Sequence, residues 1–149
     1  MNSFKIKSIG LIIIALFFVC QVFSLTRADD QKDLSTLADG FALAMSKKDK
    51  GWMNTNFTSE CMTYMPTGES VSKQLTIEAF TGTVYDIQKS TATNKSFMVT
   101  EQQAGGSADF TVEGSASGGA DISGTYKLSF KFKRTESGWK ISEILIHGQ

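Results

Sequence analysis

Leu34, Leu37, Ala38, Phe41, Ala42 and Met45 recur at intervals of three and four, the spacing of one apolar stripe along an α-helix. The pattern predicts a helix over 33–48, with Gly51 as its stop. Asp29, Asp30 and Asp33 sit near its N-terminus and Lys47, Lys48 and Lys50 at its C-terminus, and both charge sets suit the helix dipole. Gly40 lies within this helix at a cost of about 1 kcal/mol relative to alanine, which implies a close neighbour. Residues 52–57 read as a second, short helix or turn. Residues 61–65 alternate as a short strand, with Met62 and Tyr64 on one face and Cys61, Thr63 and Met65 on the other. Pro66 and Gly68 end it. Ile77, Phe80 and Val84 have helical spacing and predict a third helix over 75–87.

Beyond residue 94 the period changes to two. Strands are expected over 94–103, 108–114, 124–134 and 139–147, with turns at 104–107 and 135–138 and a flexible link at 115–120. Phe110 and Val112 alternate with Asp109, Thr111 and Glu113. Tyr126, Leu128, Phe130 and Phe132 alternate with Lys127, Ser129, Lys131 and Lys133. If these segments pair, one face of the sheet is apolar and aromatic, and the other sets acids opposite lysines. In the last segment Trp139 and Ile141 share one parity, Ile144 and Ile146 the other. That switch predicts a bulge turning His147 outward into solvent.

Ahead of these elements, Lys5 and Lys7 precede an uncharged apolar run from Ile9 to Leu25, and Thr26-Arg27-Ala28 supplies small residues before Asp29. This is the pattern of a cleavable signal peptide over 1–28, followed by one domain over 29–149. A cut after Ser24 is the alternative. The protein is expected to be secreted or periplasmic, with no stable membrane insertion once the leader is removed. A cut after Ala28 leaves 12 basic and 15 acidic residues, a net charge of −3, which gives no long-range attraction for nucleic acid. It also leaves Cys61 as the single cysteine, so no intramolecular disulfide can form. One histidine and one cysteine cannot build a usual zinc site, and no phosphate-binding glycine loop or nucleophile motif is present. No metal or cofactor is expected.

The element order (long helix, short helix, strand, helix, four long strands) resembles the nuclear transport factor 2-like superfamily, in particular its SnoaL-like and ketosteroid-isomerase-like members. Three stretches carry the resemblance: Phe41 to Trp52 (FALAMSKKDKGW), Cys61 to Gly68 (CMTYMPTG), and Phe130 to Ile144 (FKFKRTESGWKISEI) with its Gly-Trp-Lys-Ile pattern. The resemblance implies an α+β, cystatin-like architecture, in which a curved antiparallel sheet wraps as a cone around two to three N-terminal helices. It also implies an apolar pocket between the concave face and the first and third helices, and it allows a homodimer through the sheet.

The isomerase-like members use a helix tyrosine and acids that project into the pocket. Here the helix stripe offers Phe41 and Met45, and the third strand offers Tyr126, Leu128 and Phe130, so that constellation is not reproduced and no catalytic residue is assigned. Candidates for lining a pocket are Phe41, Met45, Met62, Tyr64, Phe80, Phe110, Tyr126, Phe130 and His147. An aromatic, methionine-rich inner face without a paired acid and base suggests non-catalytic binding of a small apolar ligand. The alternatives are an isomerase- or dehydratase-like enzyme using Glu60, Tyr64 or His147, and an interaction protein that dimerises through its sheet. Cys61, with no predictable basic neighbour, reads as a buried and inert thiol. The Lys127/Lys131/Lys133 stripe reads as a paired, solvated face.

Overall fold

The computed structural model describes residues 28–148. The expected signal peptide lies outside them except for Ala28, which already belongs to the first helix. That helix, α1, is described over residues 28–47 and buries Leu34, Leu37, Ala38, Phe41, Ala42 and Met45 along one side. It does not run to Gly51. Lys48 takes a left-handed φ of 53°, and Asp49 Oδ1 then accepts the Trp52 N–H at 2.8 Å. This aspartate cap starts α2 (Lys50–Asn56), in which Gly51 is an interior residue. The neighbour implied at Gly40 is Trp52: a Cβ at Gly40 would stand 2.8 Å from indole Cε2, too close for any side chain.

Six strands follow: β1 (Phe57–Tyr64), β2 (Ser70–Ser72), β3 (Tyr85–Val99), β4 (Gln103–Ala116), β5 (Gly124–Thr135) and β6 (Gly138–Ile146). They form one curved sheet in the order β2-β1-β6-β5-β4-β3, antiparallel except where β1 runs parallel to β6. A third helix, α3 (Lys73–Thr81), joins β2 to β3. It is shorter than its spacing predicts: Val84 lies exposed in a turn, and residues 85–87 open β3 instead of closing a helix. Of the expected 94–103 strand, residues 94–99 are the end of this 15-residue strand, and Gln103 already belongs to β4.

The expected turn at 104–107 is also corrected. Those residues are paired strand, and the reversal falls at 100–102. Gly106 there, and Gly114 further along β4, answer a different need. β3 carries two irregularities, one between Ile87 and Lys89 and one between Thr93 and Ser96, with Asn94 at a φ of 48°. Gly114 and Gly106 of β4 stand across from them. A Cβ on Gly106 would fall 2.8 Å from Phe97 Cα, and one on Gly114 would fall 2.9 Å from Ile87 Cα. Glycine permits the backbones to approach where the bulges bring them together.

α1 crosses the concave face, and the Phe41 ring is fully buried against four others. Its centroid lies 5.7 Å from Phe57 and Phe80, 5.9 Å from Phe110 and 6.2 Å from Phe130. The same helix and the turn that ends it are tied to the edge strand β3 at three heights. Gln31 Nε2 donates to the Phe97 carbonyl at 2.9 Å, Asp39 pairs with Lys95 at 2.6 Å, and Lys48 pairs with Asp86 at 3.0 Å. These contacts hold a helix over an edge that would otherwise invite pairing with another chain.

α3 is fixed to β1 by a buried bond in which Thr76 Oγ1 donates to Thr63 Oγ1 at 2.9 Å, both residues 1% exposed. Thr63→Val is expected to cost about 1–3 kcal/mol, because the Thr76 hydroxyl loses its partner in a dry site. The double variant Thr63→Val/Thr76→Val should recover most of that loss. Urea denaturation of the three variants checks this, and additive costs would contradict it.

Candidate functional site

The alternation read from the sequence decides which side chains face α1. Phe110 and Val112 of β4, and Leu128, Phe130 and Phe132 of β5, are buried on the concave face. The outer face carries the charges: Asp109 is the Cα partner of Lys127, Lys131 pairs with Glu143 at 3.0 Å, and Lys89 pairs with Glu113 at 3.0 Å. Of the lysine stripe, then, Lys131 is ion-paired and Lys127 faces an acid, while Lys133 stands across from Gln103 and Lys140.

The two ends of the cone differ. At the closing β5–β6 hairpin, Phe97 meets Phe132 edge-on at 5.4 Å and the core is filled. Asp30, two residues into the described part of α1, is anchored there. It accepts from Arg134 Nη2 at 2.6 Å and from Trp139 Nε1 at 2.9 Å, while the guanidinium lies 4.3 Å above the indole ring. Partial burial would raise the Asp30 carboxyl, but the two donors and the guanidinium charge outweigh it and hold the group below its ordinary 3.8.

At the opposite end the side chains do not meet. They leave a cavity of about 250 Å³ with apolar walls. Met45 of α1, Phe80 of α3, and Phe110 and Leu128 of the sheet form its walls, with Tyr85 and Tyr126 beside them. Phe80 and Tyr85 lie ring to ring at 5.6 Å. Met65, Pro66, His147 and Gly148 also line it, bringing the β1–β2 turn and the end of β6 to the cavity. The Tyr126 hydroxyl is already committed, donating to the Ile122 carbonyl at 2.8 Å.

Of the nine residues expected to line a pocket, the structure brings Met45, Phe80, Phe110, Tyr126 and His147 to this cavity. Phe41 and Phe130 are core residues outside its lining, 0% and 3% exposed. Met62 and Tyr64 are not there: in β1 the inward parity belongs to Cys61 and Thr63, which puts both on the outer face. Sequence reasoning missed Tyr85 and Ile87 because it assigned them to a helix. It missed Ile122, which falls between a supposed link and a strand.

His147 needs a separate account. β6 does bulge, at Ser142, where the partners of β5 skip from Ile141 to Glu143. Ile144 therefore turns inward, and His147, at the rim of the cavity, sets its Nε2 2.8 Å from Ser129 Oγ. The side chain is half-buried against that serine instead of free in solvent. Glu60 lies elsewhere, in a polar groove between α2, β1 and α3. Its own backbone N–H and the Ser59 hydroxyl hold its carboxyl below the usual range, and the group is exposed. Cys61 forms part of the floor of that groove, 1% exposed, where burial pushes its thiol up to about 12. Glu60, Tyr64 and His147 thus share no cavity.

The curved sheet wrapped on α1 and α3 matches solved structures over most of the chain. A nuclear transport factor 2-like protein from Salmonella enterica superposes with a TM-score of 0.70 at 17% identity, covering 82% of this chain and 92% of that one. A nuclear transport factor 2-like protein of unknown function in nutrient uptake, from Rhodospirillum rubrum, gives 0.70 at 15%, covering 78% and 98%. One with a cystatin-like fold, from Novosphingobium aromaticivorans, gives 0.70 at 12%, covering 85% and 86%. The chain has the nuclear transport factor 2-like fold. At these identities the likeness carries architecture, not activity. No protein-family model matches the chain, and no curated protein matches it. What this nuclear transport factor 2-like cone holds has to be argued from its own cavity.

Proposed function

We propose that the protein is an exported, non-catalytic binding module that takes a small, neutral, apolar molecule into the open end of the cone. The observation that carries this reading is the cavity of about 250 Å³ walled by Met45, Phe80, Phe110, Tyr126 and Leu128. An apolar cavity of about 150 Å³ admits benzene, so this one suits a bicyclic hydrocarbon or a molecule of similar bulk. Catalysis by general acid and base needs titratable groups converging on one substrate. The separation of Glu60, Tyr64 and His147 weighs against it. The Tyr126 hydroxyl, tied to Ile122, offers no free donor to a strongly polar guest.

Titration of the domain with naphthalene, followed by its thermal transition, is expected to raise the midpoint in a concentration-dependent way. Val112→Phe, which fills part of the cavity from β4, should reduce that stabilisation at least about tenfold in apparent affinity, since it removes the guest's volume. No shift for the wild type, or an unchanged affinity in the variant, would contradict the reading.

A further inference from the structure

Given the binding function just proposed, we infer that His147 selects the guest: a neutral, mostly apolar molecule carrying one hydroxyl or carbonyl, with that group at the mouth of the cavity. Of the side chains that line the cavity, only Tyr85, Tyr126 and His147 carry a nitrogen or oxygen, and among the described residues no Asp, Glu, Lys or Arg lines it. An ionic head would lose its hydration there without a counter-charge. The Tyr126 hydroxyl is committed to the Ile122 carbonyl. Tyr85 opens β3, and β5 and β4 lie between it and β6, so three strand spacings of about 4.8 Å each separate it from the His147 end of the mouth. That is too far for one head group to meet both.

His147 is held from two directions. Its backbone N–H donates to the Lys127 carbonyl at 3.0 Å, and Nε2 lies 2.8 Å from Ser129 Oγ. Nδ1 has no hydrogen bond among the described residues. A hydroxyl both donates and accepts, so Ser129 suits either tautomer of the neutral ring. When Nε2 carries the proton and donates to Ser129, Nδ1 accepts from a guest hydroxyl. When Ser129 donates to Nε2, Nδ1 carries the proton and donates to a guest carbonyl. Turning one serine hydroxyl and moving one ring proton thus lets the same fixed ring meet either group. The ring is already ordered before the guest arrives, which spares that part of the cost of binding.

For the test, the full chain is expressed in an exporting host and the purified product is titrated with naphthalene, naphthol and naphthaldehyde, each followed by the thermal transition. The wild type should bind naphthol and naphthaldehyde about threefold to tenfold more tightly than naphthalene, the gain of one net hydrogen bond. His147→Phe keeps the ring's bulk and removes its nitrogens. It should bring that ratio to one or below, since the head group then sheds water without gaining a partner. Ser129→Ala, which frees the ring to turn, should lower the ratio by less. A general loss of packing would weaken all three guests together and leave the ratio alone. Naphthalene bound with no preference for the other two, a preference that survives His147→Phe, or one lost in Tyr85→Phe instead would overturn the proposal. Binding of none of the three would overturn the cavity reading itself, and the proposal with it. Should His147→Phe fail to fold, Ser129→Ala decides: a reduced ratio supports the assignment and an unchanged one overturns it.

Discussion

Phe41→Ala is expected to cost about 3–5 kcal/mol, the largest loss from any single truncation in this core. The ring is fully buried and touches Phe57, Phe80, Phe110 and Phe130, which come from β1, α3, β4 and β5. One side chain therefore closes contacts between the helix layer and both halves of the sheet, and none of those elements can collapse into the space without moving the others. For a domain whose total stability is about 5–15 kcal/mol, such a loss is a large fraction of the whole. Phe41→Leu keeps most of the volume and should cost about 1.5 kcal/mol or less. Denaturant unfolding of both variants checks the ranking, and near-equal costs would show that the site relaxes more readily than its four-ring geometry implies.

The second large effect is at the other end of α1. Asp30→Ala is expected to cost about 2–3 kcal/mol near neutral pH, because it removes two hydrogen bonds to a charged acceptor and leaves the Trp139 N–H without a partner. The loss is no larger because Arg134 is 37% exposed and solvent screens part of its charge. The pH dependence has a definite sign. Because the folded carboxyl is held below 3.8, its stabilising contribution is present above the unfolded value of about 3.9 and is lost as pH falls through the folded one. Asp30→Asn should therefore differ most from wild type at pH 6–7, and the difference should shrink towards pH 3. Thermal unfolding of the pair across that range measures it. A difference that grows in acid would refute the assignment.

These two residues show how unevenly the fold is written in the chain. The stripe containing Phe41 is visible as a period, and its burial followed directly. Asp30 could be read only as a favourable charge near a helix start, because its partners lie 104 and 109 residues away and no local pattern marks them. The Gly-Trp pair of the closing hairpin was visible as a motif, but the bond made by its indole was not. The four-strand run was legible because alternation survives in β4 and β5. It failed in β3, where two irregularities break the period and a Ser/Thr-rich stretch hides the strand. Gly105 and Gly106 of β4 were misread as a turn: the close backbone approach at Gly106 and a reversal both demand glycine, and the sequence does not distinguish them.

The candidate site was legible in proportion. Residues on regular inward parity, Phe110 and Tyr126, reach the cavity, as does Met45 on the helix stripe. Met62 and Tyr64 do not, since a five-residue alternating segment has two equivalent faces and nothing local says which is inward. The void itself could not be foreseen. It arises where the side chains at one end of the cone stop short of one another, a matter of tertiary fit.

The most direct measurement is a crystal structure of the domain exposed to xenon or soaked with naphthalene. The account predicts density for the guest among Met45, Phe110, Tyr126 and Leu128, with the surrounding side chains unmoved. A cone filled by its own side chains, with no guest between them, would contradict it.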